Sequence, residues 1–142
     1  MADYTPVFAP GKIVTLTAAS AINGGDLVEV AASGTVQTAG ATGSGLPPSM
    51  KVVGVAGNTT PANGRVTVYA RGYVHESVAQ GTVTAGDQVG SIQFGATAGA
   101  QVQTVALAGS PPVGQDANMA RAILGIALTT ATNPSKVRWM EV

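Results

Sequence analysis

The two halves of this 142-residue chain carry the same short motifs in the same order. The matched pairs are Gly25-Asp26-Leu27-Val28 with Gly86-Asp87-Gln88-Val89, Val36-Gln37-Thr38 with Val102-Gln103-Thr104, Val53-Gly54-Val55-Ala56 with Leu124-Gly125-Ile126-Ala127, and Arg65-Val66-Thr67-Val68 with Lys136-Val137-Arg138-Trp139. The offset between partners only grows along the chain, as loop insertions would cause. The sequence therefore predicts two fused half-repeats, at about residues 12–71 and 72–142.

Strands are predicted by alternation of apolar and polar residues. In the segment 12–18 the residues Val14, Leu16 and Ala18 share one face, and the segment 65–71 alternates in the same way. Turn sequences such as Asn63-Gly64 separate these segments, and Asn-Gly supplies the positive φ that a two-residue hairpin needs. The pattern is typical of an all-β fold of many short strands.

Each half offers about four strands with one apolar face, and a single sheet of this kind cannot bury that face alone. We therefore expect the halves to pack into one compact sandwich or barrel, forming a single β domain over residues 12–142. Residues 1–11, which contain Pro6 and Pro10, predict an extended N-terminal arm. The segment 116–122, which Asp116 is able to cap, predicts at most one short helix.

Composition argues against several classes of partner. The chain has seven Lys and Arg and seven Asp and Glu, and because these are scattered singly they form no basic stripe for nucleic acid. No run of about 18 apolar residues suits a bilayer, and the N-terminus lacks a cationic leader, so we expect synthesis in the cytoplasm and no membrane partner. Cysteine is absent, which removes disulfides.

A hydrolytic pair is the first catalytic arrangement to consider, because alternation places His75 and Ser77 on the same face of one strand. However, His75 is the single histidine and no G-x-S-x-G motif occurs. We therefore interpret His75 as a polar residue at a strand end, and we expect no catalytic residues and no small-molecule substrate.

Metal and cofactor sites are equally unsupported. Zinc requires several Cys or His ligands, and the carboxylates are too dispersed for a calcium loop. Asp26 and Asp87 follow glycine in matching turns, where a carboxylate that caps its own backbone is expected. Met50-Lys51 resembles the hairpin tip of biotinyl domains, but Ser49 and Val52 replace the usual flanking Ala and Met. We interpret Lys51 as a lysine at a strand entrance and predict no cofactor.

The succession of motifs resembles a known family. The order is the segment 12–18, a Gly-Asp turn, Val53-Gly54-Val55-Ala56, Gly64-Arg65-Val66-Thr67-Val68, Arg71-Gly72-Tyr73-Val74, and a second Gly86-Asp87. From about Gly11 onward it is similar to the head decoration (capsid cement) proteins of tailed bacteriophages. The long Gly/Pro loops 40–48 and 109–115 depart from that pattern.

The resemblance implies a structural virion protein, not an enzyme. Proteins of this family form homotrimers on the outer surface of the phage head and clamp neighbouring major capsid protein subunits, which stabilises the shell. We expect the arm to contact the capsid or a neighbouring protomer through Tyr4, Pro6, Val7 and Phe8, because an apolar segment with prolines is partly pre-organised for docking. Removal of residues 2–10 should then weaken binding and leave the fold intact.

Two other functions stay open at this point. The first alternative is a glycan- or receptor-binding β domain of a phage fibre or surface protein. Binding of this kind requires an exposed aromatic cluster. The aromatic residues offered for that cluster are Tyr69, Tyr73 and Trp139. A small enzyme or cofactor carrier is the second alternative, and modification of Lys51 would support it.

Overall fold

A computed structural model describes residues 3–4, 12–40, 49–92, 100–105 and 122–142. Within these ranges the regular structure is β-strand. The first half contains β1 (Ile13–Ala18), β2 (Leu27–Ala32), β3 (Thr35–Thr38), β4 (Val52–Ala56) and β5 (Arg65–Tyr69). The second half contains β6 (Val74–Ala79), β7 (Thr82–Val83), β8 (Gln88–Ser91), β9 (Gln101–Thr104), β10 (Gly125–Ala127), β11 (Ala131–Thr132) and β12 (Lys136–Glu141).

Each half closes into its own five-stranded barrel. The first barrel has the order β1-β3-β2-β4-β5, with β5 pairing back to β1. The second barrel consists of β10-β12-β6-β9-β8, and β8 pairs back to β10. When β1 to β5 are matched with β6, β8, β9, β10 and β12, every pairing has its counterpart, including the parallel pairs β1–β3 and β6–β9. The two barrels therefore share one topology.

The repeat extends to the register of individual residues. Val14 lies opposite Val68 in the first barrel, and His75 lies opposite Trp139 at the same position of the second. The β7–β11 pair likewise corresponds to the single bridge between Ile22 and Thr60. A residue of one barrel can therefore be compared directly with its equivalent in the other.

The all-β fold class and the barrel architecture predicted from the sequence are confirmed. The way the halves close differs from the expectation, because each forms a separate barrel instead of one sheet of a shared sandwich. The parallel strand pair explains this, since it joins the first and third strands of each half and closes the ring of five. The boundaries of a single domain stay a prediction. The possible helix at 116–122 and the loops 41–48 and 109–115 lie outside the described residues.

Two clusters of buried apolar side chains fill the structure. The interior of the first barrel is formed by Ala18, Ile22, Val28, Val36, Ala56, Val66 and Val68. The interior of the second barrel is formed by equivalent positions, but its cluster also includes Leu27, Ala39 and Val55 from the outside of the first barrel. The barrels therefore pack against each other through apolar contact. None of the residues described here belongs to a helix long and apolar enough to cross a membrane.

The matching Gly-Asp turns are capped as the sequence predicts. The Asp26 carboxylate accepts hydrogen bonds from the Asn23 N–H at 3.1 Å and the Thr38 hydroxyl at 3.1 Å. The Asp87 carboxylate accepts the equivalent bonds from Thr84 and Thr104. Burial raises the pKa of Asp26, whereas the backbone hydrogen bond from Thr84 lowers the pKa of Asp87.

Gly54 and Gly125 occupy equivalent positions where two strands come too close for a side chain. A Cβ atom at Gly54 would lie 2.2 Å from the Tyr69 carbonyl oxygen, and one at Gly125 would lie 2.1 Å from the Met140 carbonyl oxygen. Both obstacles are backbone atoms, which cannot rotate away as a flexible side chain does. We infer that glycine at these positions permits β4 to approach β5 and β10 to approach β12.

We expect Gly125→Ala to destabilise the protein by about 3 kcal/mol or more, because the new methyl group must displace the β12 backbone. Gly34→Ala is the matched control: Gly34 has φ +74° but open space around its Cβ position. It should cost only about 1–2 kcal/mol for the left-handed conformation. Denaturant unfolding of both variants measures the difference, and an equal cost would show that close strand approach is not the constraint.

Candidate functional site

Aromatic side chains line the junction between the two barrels. We name Tyr4, Tyr69, Tyr73, His75 and Trp139 the aromatic seam. The ring centroids of successive members are 5.0 Å apart for Tyr69–Tyr73, 5.0 Å for His75–Trp139 and 5.9 Å for Tyr4–His75. Tyr69 lies on the outer side of the first barrel and Trp139 in the interior of the second, so the seam connects the two barrels.

Tyr4 ties the N-terminal segment into this junction. Its backbone N–H donates to the Gly57 carbonyl at 2.7 Å, in the first barrel. Its hydroxyl lies 2.9 Å from His75 Nδ1 and accepts a hydrogen bond from the Glu76 N–H at 3.3 Å, in the second barrel. A single tyrosine therefore bridges the two barrels.

The partners of His75 determine which ring nitrogen carries the proton. Nε2 lies 3.4 Å from Oε2 of Glu141, and a carboxylate oxygen needs a donor at that distance. In the neutral imidazole Nε2 therefore carries the hydrogen, and Nδ1 accepts a hydrogen bond from the Tyr4 hydroxyl. The result is a directed chain of hydrogen bonds from the Glu76 amide through Tyr4 and His75 to Glu141.

Burial in the seam raises the pKa of Tyr4 to about 12. The nearby negative charge of Glu76 acts in the same direction, while the hydrogen bond from the Glu76 amide partly opposes it. Since the neutral hydroxyl must donate to His75, the same environment that buries the ring also keeps its proton in place.

A second buried polar pair lies inside the second barrel. The Trp139 Nε1–H donates to the Ser77 hydroxyl oxygen at 3.0 Å. The equivalent residues of the first barrel are Val68 and Leu16, which are both aliphatic. The large indole ring needs both a smaller neighbour and an acceptor, and serine provides both.

A separate set of polar contacts joins the barrels away from the aromatic residues. The Ser49 N–H donates to the hydroxyl of the fully buried Ser91 at 3.0 Å, and the Ser49 hydroxyl donates to the Glu29 carboxylate. Gln37 donates to the same carboxylate at 2.9 Å. In the described part of the chain, every buried side-chain nitrogen and oxygen has a partner.

The geometry of His75 and Ser77 does not form a nucleophile and base. Both face the barrel interior, as alternation predicts, but the Ser77 oxygen accepts from Trp139 while the two ring nitrogens of His75 face Tyr4 and Glu141. His75 lies near the start of β6, as the polar strand-end residue interpreted from the sequence, and it is also fully buried as part of the seam. Among the described residues, no three His, Asp or Glu side chains are grouped to hold a metal ion.

Of the four predicted contact residues, the structure describes Tyr4 alone. Pro6, Val7 and Phe8 lie outside the described residues. Tyr4 contacts the chain's own barrels, so the expectation that residues 2–10 can be removed without effect on the fold does not fit its hydrogen bonds. A contact between this arm and a capsid or neighbouring protomer stays a prediction.

The structure also locates the residues of the alternative functions. Tyr73 and Trp139 are buried and Tyr69 is half-buried, so these three do not form the exposed aromatic cluster that glycan binding requires. Lys51 is exposed immediately before β4, at the strand entrance where the sequence places it.

Sequence reasoning did not identify the seam, although a signal was available. In the repeat alignment Trp139 stands where the first half has Val68, a change to a much larger side chain at an inward position. His75 and Ser77 place polar groups on the buried face of a strand whose counterpart carries Val14 and Leu16. A large or polar residue at an inward position of only one repeat indicates a specific internal partner.

Comparison with known proteins yields one informative similarity. No family model matches the chain, and no curated protein matches it. Among solved structures, the chain is similar to the head fibre gp8.5 N base of bacteriophage phi29. The TM-score is 0.54 at 13% sequence identity, and the similarity covers 92% of this chain and 93% of that chain. The two proteins therefore share a fold over nearly their whole lengths.

We expect Tyr4→Phe to destabilise the protein by about 1–3 kcal/mol at neutral pH, because His75 Nδ1 and the Glu76 amide both lose a buried partner. The pKa of Tyr4 is raised on folding, so the unfolded chain loses its proton first as pH rises above 10. The stability advantage of the wild type over Tyr4→Phe should therefore shrink between about pH 10 and 12.

Denaturant midpoints measured from pH 7 to pH 11.5 test this. Tyr69→Phe is the matched variant, since it removes a hydroxyl from the seam without touching the Tyr4–His75 hydrogen bond. It should lose stability with rising pH as the wild type does. A pH-independent difference between wild type and Tyr4→Phe would contradict the proposed role of the hydroxyl.

We expect Ser77→Ala to cost about 1–3 kcal/mol, because the buried Trp139 N–H loses its acceptor. In a Trp139→Phe background that N–H is gone, so the same serine substitution should cost clearly less. A double-mutant cycle from thermal unfolding measures the coupling between the two residues. Additive effects would show that the hydrogen bond contributes nothing to stability.

Proposed function

We propose that this protein is a structural component of a bacteriophage virion. It binds the outer surface of the head as a homotrimer and stabilises the shell by clamping neighbouring major capsid protein subunits. The observation that carries the proposal is the shared fold with the head fibre gp8.5 N base, which covers 92% of this chain.

The internal chemistry supports a structural role. The histidine and the buried serines that a catalytic reading would use are engaged in hydrogen bonds within the seam and the second barrel. The hydrogen bonds of His75 and Ser91 fix the two barrels in one arrangement, and that of Ser77 fixes Trp139 within the second barrel. A rigid pair of barrels suits a protein that must present the same contact surface at many equivalent positions of a shell.

Charge and cysteine content are compatible with the same role. Seven positive and seven negative side chains leave the chain without net charge, so it has no general attraction for packaged nucleic acid. Without cysteine, stability does not depend on the redox conditions inside or outside the host. The protein is made in the host cytoplasm and acts on the assembled head.

A receptor- or glycan-binding domain of a fibre is the second candidate, because the protein of similar fold is described as the base of a head fibre. The burial of Tyr73 and Trp139 argues against it, since glycan sites usually present aromatic faces to solvent. We therefore prefer attachment to the head over recognition of a receptor.

Co-sedimentation with empty heads tests the proposal. The heads are assembled from the major capsid protein of the phage that encodes this chain, in both expanded and unexpanded forms. We expect saturable binding to expanded heads, together with a higher temperature of shell disruption. Failure to sediment with either form would overturn the proposal.

A substitution within the arm separates arm contacts from the fold. We expect the double variant Val7→Ser and Phe8→Ser to bind heads at least tenfold more weakly, because two apolar contacts are lost while Tyr4 stays in the seam. Met50→Ser is the matched control, since Met50 is an exposed apolar residue that does not belong to the arm. Equal binding by the arm variant and the wild type would remove the arm from the contact.

A further inference from the structure

The repeat makes it possible to compare equivalent surfaces of the two barrels. On the outside of the first barrel, Leu27, Val55 and Tyr69 are cross-strand neighbours and form what we call the outer row. In the second barrel the outer row consists of the equivalent residues Gln88, Ile126 and Met140. The two rows lie on the same strands of the repeated topology.

A second pair of equivalent surfaces lies at one end of each barrel. In the second barrel, His75 near the start of β6 and Ser91 at the end of β8 face inward at the same end, beside Tyr73. We call this surface the barrel end. The barrel end of the first barrel consists of the equivalent residues Val14, Val30 and Lys12.

Within the chain, the outer row of the first barrel packs on the barrel end of the second. Leu27 and Val55 are buried in the same cluster as Trp139, and the rings of Tyr69 and Tyr73 lie 5.0 Å apart. Ser91 is held from the first barrel by the Ser49 amide. The outer row of the first barrel and the barrel end of the second barrel therefore cover each other.

The remaining outer row and barrel end are exposed and, apart from Gln88 and Lys12, apolar. In the second outer row Ile126 is 37% exposed and Met140 is 41% exposed, whereas the equivalent Val55 is buried and the equivalent Tyr69 is half-buried. In the first barrel end Val14 is 41% exposed and Val30 is 44% exposed, although His75 and Ser91 at these positions are fully buried. Of the large apolar side chains that are exposed in the described part of the chain, four lie on the two surfaces that the internal contact leaves unpaired, and the others are Ile13, Met50, Leu128 and Val142.

We propose that the outer row of the second barrel docks on the barrel end of the first barrel in a second copy of this chain. The contact between copies then repeats the contact between the barrels of one chain. Such a contact is heterologous, because it joins two different surfaces, and it closes a ring of three copies when the rotation between successive barrels is about 60°. The number of copies rests on the proposed homotrimer, whereas the choice of surfaces rests on the repeat.

The chemistry of the paired surfaces supports this arrangement. Val14 and Val30 at the open end are aliphatic, as are Ile126 and Met140 on the open row, so neither surface brings a buried unpaired charge. Lys12 is the equivalent of Tyr73, and Met140 is the equivalent of Tyr69. Because Tyr73 contacts Tyr69 within the chain, the proposed docking places Lys12 of one copy beside Met140 of the other. A lysine is able to lay its aliphatic stem along the methionine and keep its ammonium group in water.

Sedimentation velocity with variants of each surface tests the proposal. We expect the wild type to form trimers, and Met140→Asp or Val14→Asp to raise the dissociation constant at least 100-fold, because each places a carboxylate against apolar surface. Met50→Asp is the matched control, since Met50 is exposed and apolar but lies outside both surfaces. Its association should equal that of the wild type.

Mixing the two variants distinguishes a heterologous contact from a symmetric one. The Met140→Asp protein keeps an intact barrel end and the Val14→Asp protein keeps an intact outer row, so an equimolar mixture should form a dimer containing one of each. A mixture that stays monomeric would overturn the proposal, as would a monomeric wild type at high micromolar concentration. A wild-type trimer unaffected by both variants would overturn the choice of surfaces and leave the proposed homotrimer standing.

Disulfide trapping gives a second measurement, because the chain contains no cysteine and therefore no background reaction. We expect Lys12→Cys protein mixed with Met140→Cys protein to form a cross-linked dimer of the two variants on oxidation. Lys12→Cys mixed with Lys136→Cys is the control, since Lys136 is exposed at the opposite end of β12. Equal cross-linking in both mixtures would contradict the proposed docking, whatever the outcome of head binding.

Discussion

The first five-stranded barrel closes around a small interior, and this closure shapes the whole molecule. Seven residues, mostly valine and alanine, fill the first barrel. The strands that surround them also carry apolar residues on their outer side, such as Leu27 and Val55, which a closed barrel cannot bury by itself. The first barrel is therefore complete inside but needs a partner outside, and within one chain that partner is the second half-repeat.

The two halves share a backbone but have diverged where they meet. The equivalents of Val14, Leu16 and Val68 in the second barrel are His75, Ser77 and Trp139. Because of these differences, the end of the second barrel binds Tyr4 and packs on the outer row of the first barrel, whereas the end of the first barrel is aliphatic. Because each polar atom has a defined partner, the seam fixes the position of the barrels more strictly than apolar contact alone does.

Much of the architecture could be predicted from the sequence, because it depends on local signals. Alternation predicted the strands, the Gly-Asp turns predicted their own caps at Asp26 and Asp87, and the repeated motifs matched equivalent strands of the two barrels. Closure of each half was not predicted, since it depends on the parallel pairing of β1 with β3, which alternation does not specify. The role of Tyr4 was missed for a similar reason, because its partner His75 is distant in sequence and a lone tyrosine carries no pattern.

The contrast between the covered and open surfaces bears on how such a protein assembles. The internal contact uses hydrogen bonds to His75 and Ser91, which lose much of their value if the geometry shifts, so it suits a junction that is fixed once. The open surfaces offer valine, isoleucine and methionine, whose contact is less directional and tolerates small changes in angle. In the proposed assembly on a curved shell, that difference would let the two barrels of each chain stay rigid while the contacts between copies adjust to the surface below.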